Sequence, residues 1–533
     1  MKFKLLPRKR HLLRIVVPAY PAFNIYSFLA DTTTSLGAVC VATSAREVAG
    51  WEVEVIDENN LRRFGPRSAS GGADHELLQK LRPADVVGFY GGLTSTIPRV
   101  YDLARFYKSR GVITIAGGQH FVGETIPEAL VSDIDCIVRG EGEKTVKELL
   151  LAFKEGNELS SVSGVAYQEK GEVIYTAERP PIPDLDALPL PDFSLLRYAK
   201  IALFPLGRVR GCGMNCEFCA VKGKPRYASA EKLIEQASKI VETMGGREFF
   251  IVDDLFGQDR DETLRLCALL KNYQEQIGRR LSFTVQIRLD KAKDTDLLKA
   301  MRNAGINVVA IGFESPISEE LEAMNKRLRP EEMIALTKTF HQFGFFVHGM
   351  FIFGYPMIDG SQFQMSAKER VKRYRRFIRE TRIDTIQVLA PVPLPGTELR
   401  ERLTRQNRVY PRESLGWEYY DASFPLFEPD QPLTPEQMQL ASRRIMGRFY
   451  HLRYLFLFFL NVLSFPYLLF HVFNIKSGWR RWFRRWRNYF LRFVGSRVLK
   501  KWTFQFHRGR FLNKLGEAKL HMGKKQASIS RLR

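Results

Sequence analysis

Three of the chain's six cysteines fall in one stretch, Cys212-Gly213-Met214-Asn215-Cys216-Glu217-Phe218-Cys219, spaced CxxxCxxC. Three thiolates can bind three irons of a cubane cluster, because soft sulfur ligands suit iron. No fourth cysteine lies nearby. The spacing therefore predicts a 4Fe–4S cluster held by Cys212, Cys216 and Cys219, with one iron left open for a substrate or cofactor.

A structural zinc site is the alternative interpretation of the same cysteines. Zinc would need a fourth Cys or His ligand, and the nearest histidines, His120 and His341, are far away in sequence.

The cysteine stretch, with an aromatic before its last cysteine and Gly207-Arg208-Val209-Arg210-Gly211 before it, resembles the radical S-adenosylmethionine (SAM) superfamily. The resemblance extends over residues 10–400. It implies that the open iron binds the amino and carboxylate groups of SAM. It also implies that the reduced cluster cleaves SAM to a 5′-deoxyadenosyl radical.

The length of 533 residues predicts three or four domains. Six cysteines in so long a chain argue for a reducing compartment rather than a disulfide framework. The basic N-terminus runs directly into a strand, so we expect no signal peptide. Residues 441–533 carry 22 Lys and Arg against one acid, Glu517, whereas the other 440 residues are nearly neutral. Such a cationic tail is typical of proteins that meet an anionic surface.

Residues 1–178 are expected to form a doubly wound, Rossmann-like domain. Strands alternating with helices indicate a parallel sheet. The predicted strands are Leu12–Pro18, Trp51–Asp57, Asp85–Tyr90, Val112–Ala116 and Ile134–Val138. The predicted helical segments are Tyr26–Ala49, Glu76–Leu81, Ile97–Arg110 and Thr125–Val131.

Glycine-rich loops follow three of these strands, where such sheets bind ligands. They could equally be the tight turns that any such sheet needs. The loops supply the candidate binding residues Gly91, Gly92, Ser95, Gly117, Gly118, Gly140, Glu141 and Gly142.

The segment Gly117-Gly118-x-His120, with Asp135–Glu143 after it, resembles the cobalamin-binding domain that precedes the radical SAM core in one large subfamily. The resemblance makes the eight loop residues candidates for cobalamin. Domains that supply a lower axial His do so from an Asp-x-His-x-x-Gly loop after the first strand. Residues 19–24 hold no His, so we expect a cobalamin binder without a protein His on cobalt. A degenerate fold that has lost the cofactor is the alternative.

Residues 179–200 form a predicted linker, stiffened by five prolines. Residues 201–400 then repeat strand and helix six times, which predicts a partial (β/α)6 barrel of the TIM type. Its predicted strands are Leu203–Arg208, Glu248–Asp253, Ser282–Gln286, Val308–Gly312, Val347–Phe353 and Thr385–Ala390. Its predicted helices include Ala230–Met244, Asp261–Ile277, Thr295–Ala304 and Glu331–Phe343.

Polar residues at the carboxyl ends of these strands could bind the amine, carboxylate and ribose of SAM. Strand ends are often polar without a role. As a set in register with the cysteine loop, however, they resemble the family's SAM-binding motifs, as do Gly354-Tyr355-Pro356 and Pro395-Gly396-Thr397. The candidates for SAM are Asp253, Asp254, Arg288, Gly312, Glu314 and Ser315.

Cys40, Cys136 and Cys267 lie in apolar surroundings and are expected to be buried small hydrophobes. Methylthiotransferases carry a second cluster on three N-terminal cysteines. Only two are available here, which argues against that class.

Residues 401–518 are predicted to be a helical, basic, membrane-associating region, and residues 519–533 a disordered tail. The stretch 454–475 carries no formal charge and is long enough to cross a bilayer, although Pro466 suggests two short helices dipping into one leaflet. Trp and Arg are then interleaved over 479–487, as in an interfacial helix. A helical domain capping the barrel and an RNA-binding tail are the alternatives.

These patterns lead us to expect a cobalamin-dependent radical SAM enzyme, a methyltransferase for an unactivated carbon of a lipid- or isoprenoid-like substrate. The resemblance includes hopanoid methylases. The alternatives are a ring-forming or oxidative enzyme for a porphyrin-like substrate, resembling the anaerobic magnesium-protoporphyrin cyclase, and a tRNA- or protein-modifying enzyme. The expected location is cytoplasmic, peripheral or monotopic on the inner face of the membrane. An electron donor such as flavodoxin or ferredoxin is expected as a partner, and nucleic acid is not.

Overall fold

The structure, a computed structural model, describes the chain apart from residues 4, 6, 62–64, 70–71, 327, 359–362, 464–475, 509–510 and 531–533. For residues 476–481, 505–508 and 523–530 the description covers the backbone alone.

The N-terminal sheet has seven strands in the order β2-β1-β3-β4-β5-β6-β7. The first five run parallel, and the last two pair antiparallel at one edge. The predicted parallel sheet is therefore confirmed, while the antiparallel edge was not predicted. The strands are β1 His11–Val17, β2 Trp51–Asp57, β3 Val86–Tyr90, β4 Ile113–Gly117, β5 Cys136–Val138, β6 Val165–Glu169 and β7 Glu172–Tyr175.

Helices cover both faces of this sheet. The segment Tyr26–Ala49, predicted to be helical or loop and helix, contains two helices. Residues 31–35 separate them, because this stretch is polar and rich in β-branched Thr, which disfavours helix. Thr34 is also held by a 2.7 Å hydrogen bond to the Asp57 carboxylate at the end of β2. The helices are α1 Ser27–Ala30, α2 Leu36–Arg46, α3 His75–Leu81, α4 Ile97–Lys108, α5 Thr125–Val131 and α6 Gly142–Glu155.

The second sheet has six parallel strands in the order β8-β11-β12-β13-β14-β15, which confirms the partial barrel. A separate two-stranded hairpin, β9–β10, follows β8. The strands are β8 Leu203–Leu206, β9 Val209–Arg210, β10 Arg226–Tyr227, β11 Glu248–Phe256, β12 Ser282–Ile287, β13 Ile306–Glu314, β14 Phe346–Ile352 and β15 Thr385–Leu389. The helices are α7 Ala230–Met244, α8 Arg260–Gln276, α9 Thr295–Asn303, α10 Ser318–Ala323, α11 Pro330–Gln342 and α12 Ala367–Thr381.

Burial alternates along the barrel strands, as expected for side chains that point to opposite faces. In β12, Phe283, Val285 and Ile287 are buried, whereas the residues between them are partly exposed. The buried positions belong to the same large core as the surrounding helices. The other face therefore lines the open interior of the barrel, where a substrate could be accommodated.

The open edge of the barrel, strand β15, is covered by the segment after it. The Tyr450 hydroxyl accepts a hydrogen bond from the Ile386 amide at 2.8 Å and donates to the Ile386 carbonyl at 2.7 Å. Both backbone groups would otherwise be unpaired at a sheet edge. The covering segment contains α13 Glu398–Arg405, α14 Arg412–Leu415 and α15 Pro435–Phe449.

Three further helices complete the described chain: α16 Arg453–Leu463, α17 Lys476–Arg508 and α18 Phe511–Ser530. Helix α17 crosses the N-terminal end of the barrel strands. Its Asn488 donates to the Asp384 carboxylate at 2.6 Å, and its Arg492 donates to the Ile383 carbonyl at 3.2 Å. The inner face of the tail thus caps the barrel at the end opposite the strand termini that carry the candidate site.

Among the helices of the described chain, none is both long enough and apolar enough to cross a bilayer. Residues 464–475 of the predicted apolar stretch lie outside the description. The predicted disorder from residue 519 is wrong up to Ser530, because α18 continues that far. Buried Phe511, Leu515 and Ala518 anchor this helix, and Lys519 pairs with Glu436 at 2.8 Å.

Candidate active site

The cysteine loop is closed at its base by the β9–β10 hairpin. Residues 211–225 lie between the two strands, so all three motif cysteines belong to one loop at the carboxyl end of β8. The Gln258 side chain donates to the Cys212 carbonyl at 2.6 Å, and the Lys222 ammonium donates to the Cys216 carbonyl at 3.0 Å. The loop backbone is therefore held by these two side chains, and the Cys219 sulfur also accepts the Val221 amide at 3.4 Å.

Binding of a cubane cluster by the three thiols stays a prediction. Among the described residues, no group of three His, Cys, Asp or Glu side chains converges on a common point. In a 4Fe–4S cluster each thiolate binds a different iron, so convergence is not required. Burial raises the pKa of Cys212 and of Cys219, and the neighbouring Cys216 contributes in each case, which places the thiols close together. All six cysteines are free.

Two strand ends bring polar side chains beside this loop. Asp254, on β11, is partly buried, and its carboxylate has no side-chain hydrogen bond among the described residues. Burial raises its pKa. Arg288, after β12, contacts the Met214 sulfur at 3.2 Å and pairs with Asp290 at 2.6 Å. Asp254 and Arg288 offer a carboxylate and a guanidinium, the groups that pair with an amine and a carboxylate.

Glu314 is directed toward the same space by a local irregularity in β13. The pairing of β13 with β14 shifts register between Gly312 and Glu314, and Glu314 has a positive φ of 61°. Its carboxylate folds over Gly312, where a Cβ would lie 2.4 Å from it. Its partner is the Lys326 ammonium at 3.0 Å. A bulge that re-aims a side chain at the cost of backbone strain is typical of functional sites.

Two predicted SAM residues have structural partners instead. The buried Asp253 carboxylate accepts the backbone amides of Arg208 at 2.7 Å and Val209 at 2.8 Å, which fixes the start of the cysteine loop. Ser315 is fully buried, donates to the Glu320 carboxylate and accepts the Ile317 amide at 3.1 Å. Their contacts favour positioning roles, and a contact with SAM stays a prediction.

The motifs Gly354-Tyr355-Pro356 and Pro395-Gly396-Thr397 hold the cysteine loop from the other side. The Tyr355 hydroxyl donates to the Glu217 carboxylate at 2.6 Å, and the Leu399 amide donates to the Glu217 carbonyl at 3.1 Å. Thr397 caps α13 by accepting the Arg400 amide. Both motifs therefore hold the cysteine loop at Glu217. Tyr355 of the first motif bonds it directly, and Thr397 of the second caps the helix that carries Leu399.

A cavity of about 480 Å³ connects the N-terminal domain to the barrel. That volume lies within the range of small-molecule pockets. One end penetrates between the sheet and helices α2 and α6, where Ile15, Ile115 and Val146 line it. The other end reaches Val252 and Asp254 of the barrel. Linker residues Leu185, Leu188, Pro189 and Pro191 form part of its wall, so the linker is part of the site.

Five of the eight predicted cobalamin residues line this cavity: Gly117, Gly118, Gly140, Glu141 and Gly142. Gly118 has a φ of +124°, and a Cβ there would lie 2.6 Å from the Gly91 carbonyl carbon. Only glycine fits that close approach between neighbouring loops. The cavity thus has a small-residue floor suited to a bulky ligand.

The other three, Gly91, Gly92 and Ser95, do not line the cavity among the described residues. A Cβ on Gly91 would meet the Phe121 ring, and one on Gly92 would meet the Tyr90 ring. Ser95 is buried in a short turn. Their surroundings favour packing roles that hold the β3 and β4 loops together, because aromatic rings fill the space beside the two glycines, and a contact with cobalamin stays a prediction.

His120 is also outside the cavity. Its ring packs edge-on against Trp417 at 4.9 Å and approaches Thr94 at 3.3 Å. Burial, together with the guanidinium groups of Arg400 and Arg412, lowers its pKa to about 3. It is a neutral core histidine at the contact with the C-terminal segment.

Sequence reasoning missed Lys326, Tyr90, Arg210 and Arg226. Lys326 follows the Glu314 motif by twelve residues, beyond α10, and no local pattern marks it. Tyr90 lines the cavity from the end of a predicted strand. Arg210 and Arg226 flank the cysteine motif, and their charges at the two ends of the loop were the one available signal.

Two family models match this architecture. The radical SAM superfamily model matches residues 208–369, and the B12 binding domain model matches residues 29–150. The first covers the cysteine loop and most barrel strands. The second covers the glycine loops that line the cavity.

Relatives that match about two thirds of the chain or more agree. An uncharacterised methyltransferase of Pyrococcus horikoshii is 31% identical over 389 residues, 70% of this chain and 80% of that protein. The anaerobic magnesium-protoporphyrin IX monomethyl ester cyclase of Rubrivivax gelatinosus is 24% identical over 377 residues, 67% of this chain and 64% of that protein.

The fold also matches a solved structure, the radical SAM methyltransferase TsrM of Kitasatospora setae with cobalamin and a 4Fe–4S cluster bound. The TM-score is 0.58 at 17% identity, over 75% of this chain and 78% of that one. The chain therefore belongs to the radical SAM superfamily, among the enzymes that carry a B12-binding domain before the barrel, and its cofactors are a 4Fe–4S cluster, SAM and cobalamin.

Proposed function

We propose that this chain is a cobalamin-dependent radical SAM methyltransferase that methylates an unactivated carbon of a hydrophobic, lipid- or isoprenoid-like substrate. When bound, the reduced cluster and SAM supply a carbon-centred radical, and cobalamin supplies the methyl group. The observation that carries the proposal is the continuous cavity. It runs from the glycine loops to Asp254, which is close enough to the cysteine loop to raise the pKa of Cys212 together with burial.

The chain's own residues would divide the work. We assign Cys212, Cys216 and Cys219 to the cluster. We assign Asp254, Arg288 and Glu314 to polar groups of SAM, with Gly312 making room for Glu314. Asp253 and Glu217 would orient the loop through their contacts with its backbone and its neighbours. The cavity-lining Gly117, Gly118, Gly140 and Gly142 would receive cobalamin.

A substrate-dependent assay tests this function. Anaerobically reconstituted protein, supplied with hydroxocobalamin, SAM and a low-potential reductant, is incubated with an extract of membrane lipids. Flavodoxin or ferredoxin serves as the electron donor in a second arm. We expect the extract to raise the yield of 5′-deoxyadenosine several-fold over the uncoupled rate. An increase with tRNA or protein fractions and none with lipid would replace the lipid substrate with a polymer.

We further propose that the tail docks the enzyme on the inner face of the cytoplasmic membrane. Helices α16 and α17 pack against each other through rings, including Phe458 on Trp486. Large apolar side chains nevertheless remain exposed on both helices. On α16, Phe456 is 66% exposed and Leu463 is 74% exposed. These two are seven residues apart and so share one helix face.

The cationic residues of the tail support the same membrane-docking surface. The apolar positions are flanked by exposed cations such as Arg453, Arg485 and Lys500. Apolar side chains with surrounding cations fit anionic lipid headgroups. The pair of helices α16 and α17 is attached at the N-terminal end of the barrel strands, away from the cysteine loop. Docking would therefore hold the enzyme near the bilayer without inserting the barrel rim, and the substrate would reach the rim from outside the lipid.

Vesicle co-sedimentation tests the docking. We expect binding to phosphatidylcholine vesicles that contain phosphatidylglycerol and weak binding to phosphatidylcholine alone. Phe456→Ser combined with Leu463→Ser should reduce binding by about tenfold or more, from the loss of apolar burial. Leu77→Ser with Leu81→Ser, two exposed leucines on α3, is the matched control. Protein that stays in solution, or that instead co-purifies with nucleic acid in a salt-dependent manner, would contradict membrane docking.

The second candidate function is an oxidative cyclase on a porphyrin-like substrate, favoured by the similarity to the Rubrivivax cyclase. The same cofactors would serve this function in the present chain. The two functions differ in whether a methyl group of SAM appears in the product.

A further inference from the structure

Glu141 joins the cavity to the cysteine loop. It lines the cavity in the turn before α6. Arg226 donates to both of its carboxylate oxygens, at 2.8 and 3.0 Å, and Arg210 donates to one of them at 3.0 Å. The Ile182 amide of the linker is a further donor at 2.6 Å. One carboxylate therefore binds the N-terminal domain to the linker and to both strands of the hairpin.

The hairpin depends on this carboxylate for a physical reason. Arg210 and Arg226 are direct cross-strand partners, and like charges in that position repel. The hairpin has only two residues in each strand, and so short a ribbon is not stable alone. Glu141, helped by Glu143 on Arg210, supplies the opposite charge that holds the two strands together.

The hairpin in turn encloses every cluster ligand. Residues 211–225 form its loop, so the position of the cysteines depends on how well β9 and β10 are held. On the other side, Gly140 and Gly142 flank Glu141 in the cavity wall. A ligand that fills the cavity would restrict this turn and would thereby fix the direction of the carboxylate.

We propose that Glu141 is a positioning residue that couples cobalamin binding to the order of the cluster loop, so that each cofactor strengthens retention of the other. Such coupling is reciprocal by thermodynamic necessity. The inference goes beyond methyl transfer, because it concerns the two cofactors and holds whatever the substrate is.

A binding cycle measures the coupling directly. Hydroxocobalamin is titrated into cluster-loaded protein and into the Cys212→Ala, Cys216→Ala, Cys219→Ala variant, which lacks a cluster. In the wild type we expect the cluster to tighten cobalamin binding by about 5- to 150-fold, the usual range of such couplings. With Glu141→Gln, which keeps the shape of the side chain, the cluster should change the affinity by less than about twofold, because the charge that links the sites is gone.

Two further variants separate coupling from general domain packing. Arg226→Gln breaks the same ion pair from the barrel side without touching the cavity, and it should abolish the coupling as well. Glu148→Gln removes the ion pair between α6 and Arg179 of the linker, which does not involve the hairpin, and it should retain the coupling.

Hydrogen exchange gives a second readout that needs no cluster. In the triple-alanine variant, hydroxocobalamin should slow amide exchange in the peptide covering 209–227, and Glu141→Gln should remove that protection. The proposal is overturned if the wild type has no coupling, if Glu141→Gln retains it, or if Glu148→Gln loses it equally.

Discussion

Arg402 pairs with Glu217, and the pair ties the cysteine loop to helix α13 across 185 residues of sequence. The guanidinium donates to both carboxylate oxygens, with Nη2–Oε2 at 2.9 Å, and both side chains are largely buried. Glu217 is the residue directly after Cys216. The segment that covers the open barrel edge therefore also holds the loop that carries the cluster ligands.

Arg402→Met should destabilise the protein and weaken cluster retention. It leaves the Glu217 carboxylate with Tyr355 as its remaining side-chain donor among the described residues, and removing one partner of a buried ion pair costs about 3–5 kcal/mol. We expect a lower melting temperature and fewer irons per chain after reconstitution. Arg405→Met, at an exposed position on the same helix, is the control and should match the wild type. Unchanged iron content in Arg402→Met would mean that the pair does not hold the loop.

Gly118→Ala should abolish cobalamin binding and unfold the cavity wall. The new Cβ would meet the backbone of the neighbouring loop at 2.6 Å, and flexible side chains cannot relieve a backbone clash. The cost should exceed about 3 kcal/mol. Gly123→Ala is the matched control, because its φ is also positive but no atom lies within 4 Å of the new Cβ. It should cost only about 1 kcal/mol. Cobalamin titration and thermal unfolding measure both effects, and equal losses would refute the steric argument.

Asp421 should make the protein less stable as pH rises. Burial raises the pKa of this carboxyl to about 8, so the folded chain keeps a proton that the unfolded chain has released above pH 4. The folded state then binds more protons, and the free energy of unfolding falls as pH rises from about 4 toward 8.

Asp421→Asn removes the titrating carboxyl. The stability of the variant relative to the wild type should therefore increase from pH 5 to pH 8. Urea unfolding at the two pH values measures it. Asp102→Asn, at an exposed site, should follow the wild type. A wild-type pH profile that Asp421→Asn leaves unaltered would show that Asp421 is not the responsible group.

Tyr450→Phe should loosen the open edge of the barrel. The hydroxyl forms hydrogen bonds with both backbone groups of Ile386. Leaving a buried backbone group unpaired costs at most about 1–3 kcal/mol. Hydrogen exchange in β15 should speed up, while exchange in β12 stays slow. Tyr175→Phe, an exposed tyrosine on β7, is the control. Unaltered exchange in β15 would contradict the edge-capping role.

The sheets could be predicted because their signals are local. The predicted strand Trp51–Asp57 and helices Thr125–Val131 and Ala230–Met244 match the structure residue for residue. The position of the cysteine loop could be predicted because the loop directly follows a strand. The carboxyl end of that strand can be recognised from the strand's own residues. The roles of Asp253 and Ser315 could not, since both depend on partners brought together by folding.

Long-range contacts explain the rest. Nothing near Glu141 in sequence announces Arg210 or Arg226, which lie 69 and 85 residues away. The tail was predicted from composition, which gives an amphipathic surface but not the buried carboxylate, Asp384, on which α17 rests.

The most direct test of methyl transfer is the fate of a labelled methyl group. Anaerobic turnover with methyl-labelled SAM, hydroxocobalamin, reductant and the lipid extract is followed by mass spectrometry of the products. The proposed function predicts one labelled methyl on a carbon of the product together with 5′-deoxyadenosine, both absent with Cys216→Ala. Formation of 5′-deoxyadenosine with an unlabelled product that gains no carbon would contradict it and favour the oxidative cyclase.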